Sequence, residues 1–285
     1  MFGKRPDGRL LGKLDPFDRI IPYIMEERSD SMVMYEDQFD CAAMDEYIRR
    51  WRDEGLPMSY MHILIAATVR ILAIRPKLNR FVMNGKLYSR DKIWVSFAIH
   101  RRLVDEDVET TLKLCFEGTE TIQEISKAIN DAIEKERAHS ESNGTDKVAS
   151  LLMKIPSFLI KLVINFLMWT DRHNMLPRFV MEASPFHTSF FLTNLKSLGI
   201  NHIFHHVYNF GTTGLFLAMG KEKTVPLFRS SEFVPVKSLP FGLVADERCC
   251  DGLYFAKALR LFRKYLNDPS QLEIALESKV PDTNL

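Results

Sequence analysis

The stretch Asp246–Pro269, DERCCDGLYFAKALRLFRKYLNDP, decides how this 285-residue chain is read. It follows the apolar run Phe241-Gly242-Leu243-Val244-Ala245, which predicts a long strand over Val234–Arg248. Beyond Gly252 the apolar residues of Leu253–Leu266 recur at helical spacing. The junction concentrates chemistry: Glu247, Cys249, Cys250 and Asp251 stand almost side by side. Glu247, Cys249 and Asp251 fall at period two, which on a strand sends them to one side. No second ligand cluster carries metal spacing, so no metal centre is expected. The adjacent cysteines read as buried, inert thiols rather than nucleophiles.

Working upstream, Leu215–Met219 and Ser189–Asn194 read as strands and Thr121–Arg137 as an amphipathic helix. Lys92–His100 and Thr110–Phe116 read as further strands. Asn84-Gly85, set between apolar runs in Phe81–Tyr88, predicts a tight hairpin with positive φ at both central residues. Tyr60–Ile74 reads as a long apolar helix stopped before Pro76, and Met44–Asp53 as a helix closed by Gly55. Met32–Phe39 reads as a strand. Asp15-Pro16 is a helix start, with Pro22 expected to kink that helix or end it early. Helices and strands interleave without a βαβ repeat, so a mixed sheet with packed helices is expected rather than a doubly wound parallel one. No phosphate-cradling or dinucleotide-binding glycine pattern is present.

Composition narrows the function. Lys and Arg number 38 against 37 Asp and Glu, a net charge of +1, so capture of nucleic acid by charge is not expected. Hydrophobic residues make up 46%, enough for a large core. Four cysteines without a C-x-x-C pair, and an opening MFGKRPD that is no signal peptide, point to a reduced, cytoplasmic protein. Ile155–Trp169 (IPSFLIKLVINFLMW) is apolar at 11 of 15 positions, yet Pro156, Lys161 and Asn165 interrupt it. It is too short to span a membrane and is expected to be buried or to form an interface, with docking on a membrane surface as the alternative. Ala138–Lys147 reads as the one long loop.

These segments, in this order, resemble the catalytic domain of the 2-oxoacid dehydrogenase acyltransferases and chloramphenicol acetyltransferase. Both share H-x-x-x-D-G between a strand and a helix. Phe190-Phe191-Leu192-Thr193-Asn194-Leu195 with Ser197-Leu198-Gly199 is similar to the family's F-T-I-S-N-L-G segment. Leu217–Lys221 is similar to its next strand and turn, Pro76–Asn79 to its P-x-x-N, and Asp18–Ile21 to its N-terminal helix. The resemblance covers most of Phe17–Pro269, with an apparent insertion at about 140–181. It implies a single chloramphenicol-acetyltransferase-like α/β (α+β) domain over residues 1–285, without a lipoyl or subunit-binding domain. It also implies a homotrimer whose active sites lie between subunits. The substrate it implies is CoA or acyl-CoA, with no covalently bound cofactor, and the acyl donor arrives in trans as acyl-CoA or on a separate carrier.

By the same resemblance Thr193 donates to the oxyanion, and Asp251 is a scaffold residue paired with Arg19. The family's histidine base falls on Glu247 here. A thiol near pKa 8.5 and a carboxyl near 4.3 differ by about 4 units, roughly 6 kcal/mol against proton transfer. Burial in an apolar channel removes most of that gap, whereas an ion pair with Arg248 or Arg19 preserves it. Two readings follow: an acyltransferase with Glu247 as general base, or a catalytically inactive trimer that keeps the channel for binding. His187, His202, His205 and His206 are candidate replacement bases, although His205 and His206 on a strand would point to opposite faces. Lys196 is a candidate phosphate contact or a solvated loop lysine.

Overall fold

A computed structural model describes residues 4–100, 109–138 and 156–284. The expected loop at Ala138–Lys147, apart from its first residue, and residue Ile155 lie outside the described residues, as does the first part of the apparent insertion.

A short strand, β1 (Arg9–Leu10), leads to helix α1 (Pro16–Ile24). Asp15 caps α1 by accepting a hydrogen bond from the Phe17 N–H at 3.0 Å. Pro22 sits inside the helix, which ends two residues later. Then come β2 (Met32–Asp40), α2 (Ala42–Asp53) and α3 (Tyr60–Ile74). Helix α3 is apolar apart from His62, Thr68 and Arg70 and is sunk in the core. Its start is held by Ser59 and His62, whose ring nitrogen Nδ1 lies 2.8 Å from the Ser59 hydroxyl.

The tight hairpin is present as β3 (Arg80–Met83) and β4 (Lys86–Ser89). Asn84 and Gly85 take φ of +52° and +69°, the pair of positive angles this turn requires. Arg80 is fully buried and donates through two nitrogens to Asp282, at 2.7 and 2.6 Å.

The remaining elements are β5 (Ile93–His100), β6 (Glu109–Phe116), α4 (Ile122–Ala138), α5 (Ser157–Arg172), α6 (Arg178–Ala183), β7 (Phe190–Asn194), β8 (Leu215–Met219), β9 (Lys223–Arg229), β10 (Glu232–Asp246) and α7 (Gly252–Asn267). The main sheet runs β2-β10-β8-β7-β5-β6, with β9 folded back on the outer half of β10. Among the described strands only the β5/β7 and β7/β8 pairings are parallel. One face packs on the helices, with the Phe39, Phe241 and Phe262 rings 5.1–5.8 Å apart. The other face carries Phe191, Phe216 and Val244 and is covered by Val207 and its irregular neighbours. That cover lies close: a Cβ on Gly242 would come 2.7 Å from the His202 ring, and one on Gly220 would come 2.4 Å from the His202 backbone nitrogen.

Two local expectations are corrected, and one strand has no counterpart among them. Strand β10 stops at Asp246, and Glu247–Cys249 form a 3₁₀ turn because the Asp246 carboxylate accepts from the Arg248 N–H. Glu247, Cys249 and Asp251 therefore do not alternate along a strand. His205 and His206 lie in irregular backbone. Strand β9 carries no clear sequence signal, since Pro226 breaks its alternation; it is an edge strand, where proline is tolerated.

Candidate functional site

The turn after β10 stands at a cavity of about 440 Å³. Helix α1 supplies Phe17, Asp18 and Ile21 to its wall, the turn supplies Glu247, and the start of α7 supplies Asp251 and Phe255. Glu247 is exposed at this cavity and has no ion-pair partner among the described residues. Its neighbour Arg248 does not hold it. Arg248 turns inward and grips Asp246 with two hydrogen bonds, Nε to Oδ1 at 2.8 Å and Nη2 to Oδ2 at 2.7 Å. Its third nitrogen donates to the carbonyls of Met25 and Glu26, which ties the end of α1 to the turn.

A second arginine completes this network. Arg28 Nε lies 3.5 Å from Asp246 Oδ2, and the guanidinium donates to the carbonyls of Tyr208, Gly211 and Val82. Burial pulls the Arg28 pKa down despite Asp246. Burial also opposes the charge on Arg248, but the closer carboxylate outweighs it and the pKa is raised. One buried aspartate thus anchors two arginines beneath the cavity, and the only exposed acid of the turn points to solvent.

The expected Arg19–Asp251 scaffold is replaced by this network. Asp251 is the N-cap of α7, accepting from the Tyr254 N–H at 2.9 Å, and it is exposed. That hydrogen bond to the backbone lowers its pKa. Arg19 lies on the solvent side of α1, one residue around from the cavity-lining Asp18, and no ion pair among the described residues joins it to Asp251. Asp246 opens the quoted stretch, but nothing local in the sequence marks it as the partner of Arg28.

Thr193 is elsewhere. It lines a different cavity of about 340 Å³ with Asn194, Ser197, Arg137 and His205. Strand β8 separates its strand from β10, so the two are not neighbours. Thr193 is level with Ala218 and, beyond it, Gly242. Glu247 lies five residues further along, roughly 17 Å at strand rise, besides two strand spacings. A single chain does not bring the two together.

The other candidates have defined places. His187 is buried, with Nε2 3.0 Å from Asp171. His202 faces Glu36 at 3.3 Å. His205 stacks on Phe216 with ring centroids 4.4 Å apart and shares the Thr193 cavity. Lys196 donates to Glu222 at 2.7 Å and lies over the Tyr60 ring. Cys249 is buried and donates to the Arg80 carbonyl, and burial pushes its pKa well up. Burial likewise pushes Cys250 up to about 12. Neither is a ready nucleophile. Among the described residues no group of three His, Cys, Asp or Glu could hold a metal ion, and no helix is long and apolar enough to cross a membrane.

Residues 186–274 match the family model of the 2-oxoacid dehydrogenases acyltransferase (catalytic domain). The dihydrolipoyllysine-residue acetyltransferase component of the acetoin cleaving system of Bacillus subtilis (strain 168) is 34% identical over 85 residues, 30% of this chain and 21% of that protein. A dihydrolipoamide acetyltransferase of Azotobacter vinelandii has a similar structure, with a TM-score of 0.58 at 14% identity over 95% of this chain and 94% of that one. The cubic core of the pyruvate dehydrogenase multienzyme complex gives a TM-score of 0.57 at 12% identity, again over 95% and 94%. These likenesses bear out the resemblance drawn from the sequence and the mixed α/β fold it implies.

Proposed function

We propose that this protein is an acyltransferase that moves an acyl group between CoA and a thiol, hydroxyl or amine acceptor, with Glu247 as general base. One observation carries the reading: Glu247 has no ion-pair partner among the described residues at the cavity after β10, while Arg248, which could have neutralised it, is bound to Asp246. The position is the one where the resemblance places a histidine.

In transfer from acyl-CoA to a thiol, Glu247 takes the thiol proton and the sulfur attacks the acyl carbonyl carbon. The carbonyl oxygen becomes an oxyanion and accepts a hydrogen bond from the Thr193 hydroxyl. Collapse breaks the carbon–sulfur bond to CoA, and the departing thiolate recovers the proton from Glu247. Thr193 and Glu247 are too far apart in one chain for these roles. The reading therefore includes a homotrimer in which Glu247 of one copy meets Thr193 of the next, with residues 140–181 as an insertion into this catalytic domain. The likeness to an enzyme core assembled from many copies supports it. A neighbour over the cavity mouth also removes Glu247 from water, the condition under which a carboxylate becomes a competent base toward a thiol.

The test follows CoA release from a panel of short acyl-CoAs. Wild type turns over, and Glu247→Gln loses about 100-fold or more. Mixing Glu247→Gln with Thr193→Ala chains restores part of the activity, because some mixed interfaces regain both groups. A silent wild type that gains activity as Glu247→His overturns the general-base role and favours a binding protein that has kept the channel.

A further inference from the structure

Helix α5 has no obvious inside and outside. Leu159, Val163 and Leu167 are partly covered by the protein, yet the opposite side is also apolar. Phe158, Leu162, Phe166 and Trp169 are 78%, 64%, 59% and 44% exposed. At 100° per residue they fall within an arc of about 80° and form one ridge. The Phe166 and Trp169 rings stack along it, 6.2 Å apart. Phe179 of the following helix is exposed as well. An apolar ridge of this size on the outer side of a helix whose inner side is also apolar calls for something to cover it.

The charges beside the ridge indicate what covers it. Lys161 and Arg172, both exposed, lie at one edge of the same arc. Arg178 is bound to Glu182. The one acidic residue in α5, Asp171, is withdrawn from the surface. Its side chain is 3% exposed, 2.9 Å from Arg5 and 3.0 Å from His187. Among the described residues the outer face of α5 thus offers aromatic and aliphatic side chains edged by Lys161 and Arg172, and acids come near only at its far end, where Glu26 and Glu27 share a cavity with Arg172. The chain as a whole is almost neutral, so this asymmetry is local.

We infer that α5 docks on the surface of an anionic lipid bilayer. The ridge enters the headgroup layer, and Lys161 and Arg172 meet lipid phosphates. A protein partner would need both a groove shaped for four large side chains and acids at its rim. A bilayer yields to the ridge and supplies the negative charge everywhere. The helix has 16 residues, a length of about 24 Å against a hydrocarbon core of about 30 Å, so it lies along the surface and does not cross it.

Sedimentation of the full chain with vesicles tests this, using phosphatidylcholine alone and equal parts phosphatidylcholine and phosphatidylglycerol. The wild type sediments with the anionic vesicles and stays in solution with the neutral ones. Phe158→Ser combined with Phe166→Ser abolishes binding without unfolding the protein, since both side chains are already in water. Lys161→Ala weakens binding about fivefold, and added salt weakens it further. Quenching of Trp169 fluorescence by brominated lipid, lost in Trp169→Leu, reports insertion in the wild type itself. Two outcomes overturn the inference: a wild type that remains in the supernatant with anionic vesicles, or a double variant that falls to a smaller oligomer. The second result assigns the ridge to contact with another copy of the chain.

Discussion

The turn at Asp246–Cys249 and the helix Ser157–Arg172 handle an aspartate in the same way and present opposite surfaces. Asp246 is buried between Arg28 and Arg248, and Asp171 is buried between Arg5 and His187. Around Asp246 the residue left outside is a carboxylate, Glu247, at a cavity. Around Asp171 it is an apolar ridge. In both places burying an ion cluster fixes the backbone rather than adding much net stability. What the neighbouring residues expose then sets the chemistry of the surface. Burial alone would raise the Asp171 carboxyl, but His187 and Arg5 outweigh it and hold it below the usual carboxylate range.

Removing the anchors tests whether the two clusters are equivalent. Asp246→Ala leaves two buried arginines with no carboxylate and is expected to cost about 3–5 kcal/mol in urea unfolding, with loss of the cavity and of acyl transfer. Asp171→Ala is expected to cost less, about 2 kcal/mol, because Arg5 keeps Asp7 at 2.8 Å as a second partner. Acyl transfer should survive that change. Equal losses in the two variants, or a silent Asp171→Ala, would break the distinction between a site and a docking surface.

Smaller effects sharpen the picture around Glu247. Asp251→Ala should cost about 1 kcal/mol, the value of an N-cap. Arg19→Ala should cost less than about 0.5 kcal/mol, and the double variant should be additive. A coupling above about 1 kcal/mol between them would reinstate the pair expected from the sequence. The smallest effect is a pH dependence. Burial holds His62 below its ordinary value of 6.5, although its hydrogen bond to Asn130 opposes this. Just below that pH the unfolded chain takes up a proton that the folded chain refuses, so stability falls as the solution is acidified. Thermal unfolding of His62→Gln should show a shallower decline on the acid side than the wild type.

Features written in adjacent residues were legible in the sequence. Tyr60–Ile74 has the predicted bounds, and the Asn84-Gly85 turn has the predicted backbone. Each depends on local propensity: an unbroken apolar run before Pro76, and two residues that tolerate positive φ. The strand–turn–helix around Asp251-Gly252 was legible for the same reason. The Arg28–Asp246 contact was not, because it joins distant parts of the chain and nothing local separates Asp246 from the other two aspartates of that stretch, Asp251 and Asp268. The distance between Thr193 and Glu247 depends on strand order, with β8 between β7 and β10, which periodicity does not encode. Ile155–Trp169 stands out in the sequence but is expected to be buried or to form an interface. Phe158, Leu162, Phe166 and Trp169 are instead exposed, which the sequence hides because an apolar run looks alike whether one side or both will be covered.

Two of the buried ion pairs also bear on how the chain reaches this fold. Arg5 meets Asp171 across 166 residues, and Arg80 meets Asp282 across 202. Contacts of such separation close long loops before they are rewarded, so late formation in the folding reaction is expected. Interactions made after the transition state slow unfolding and leave the folding rate largely unchanged. These two clasps are therefore expected to act on the unfolding rate more than on the folding rate, which Arg80→Ala would show as faster unfolding with refolding little changed.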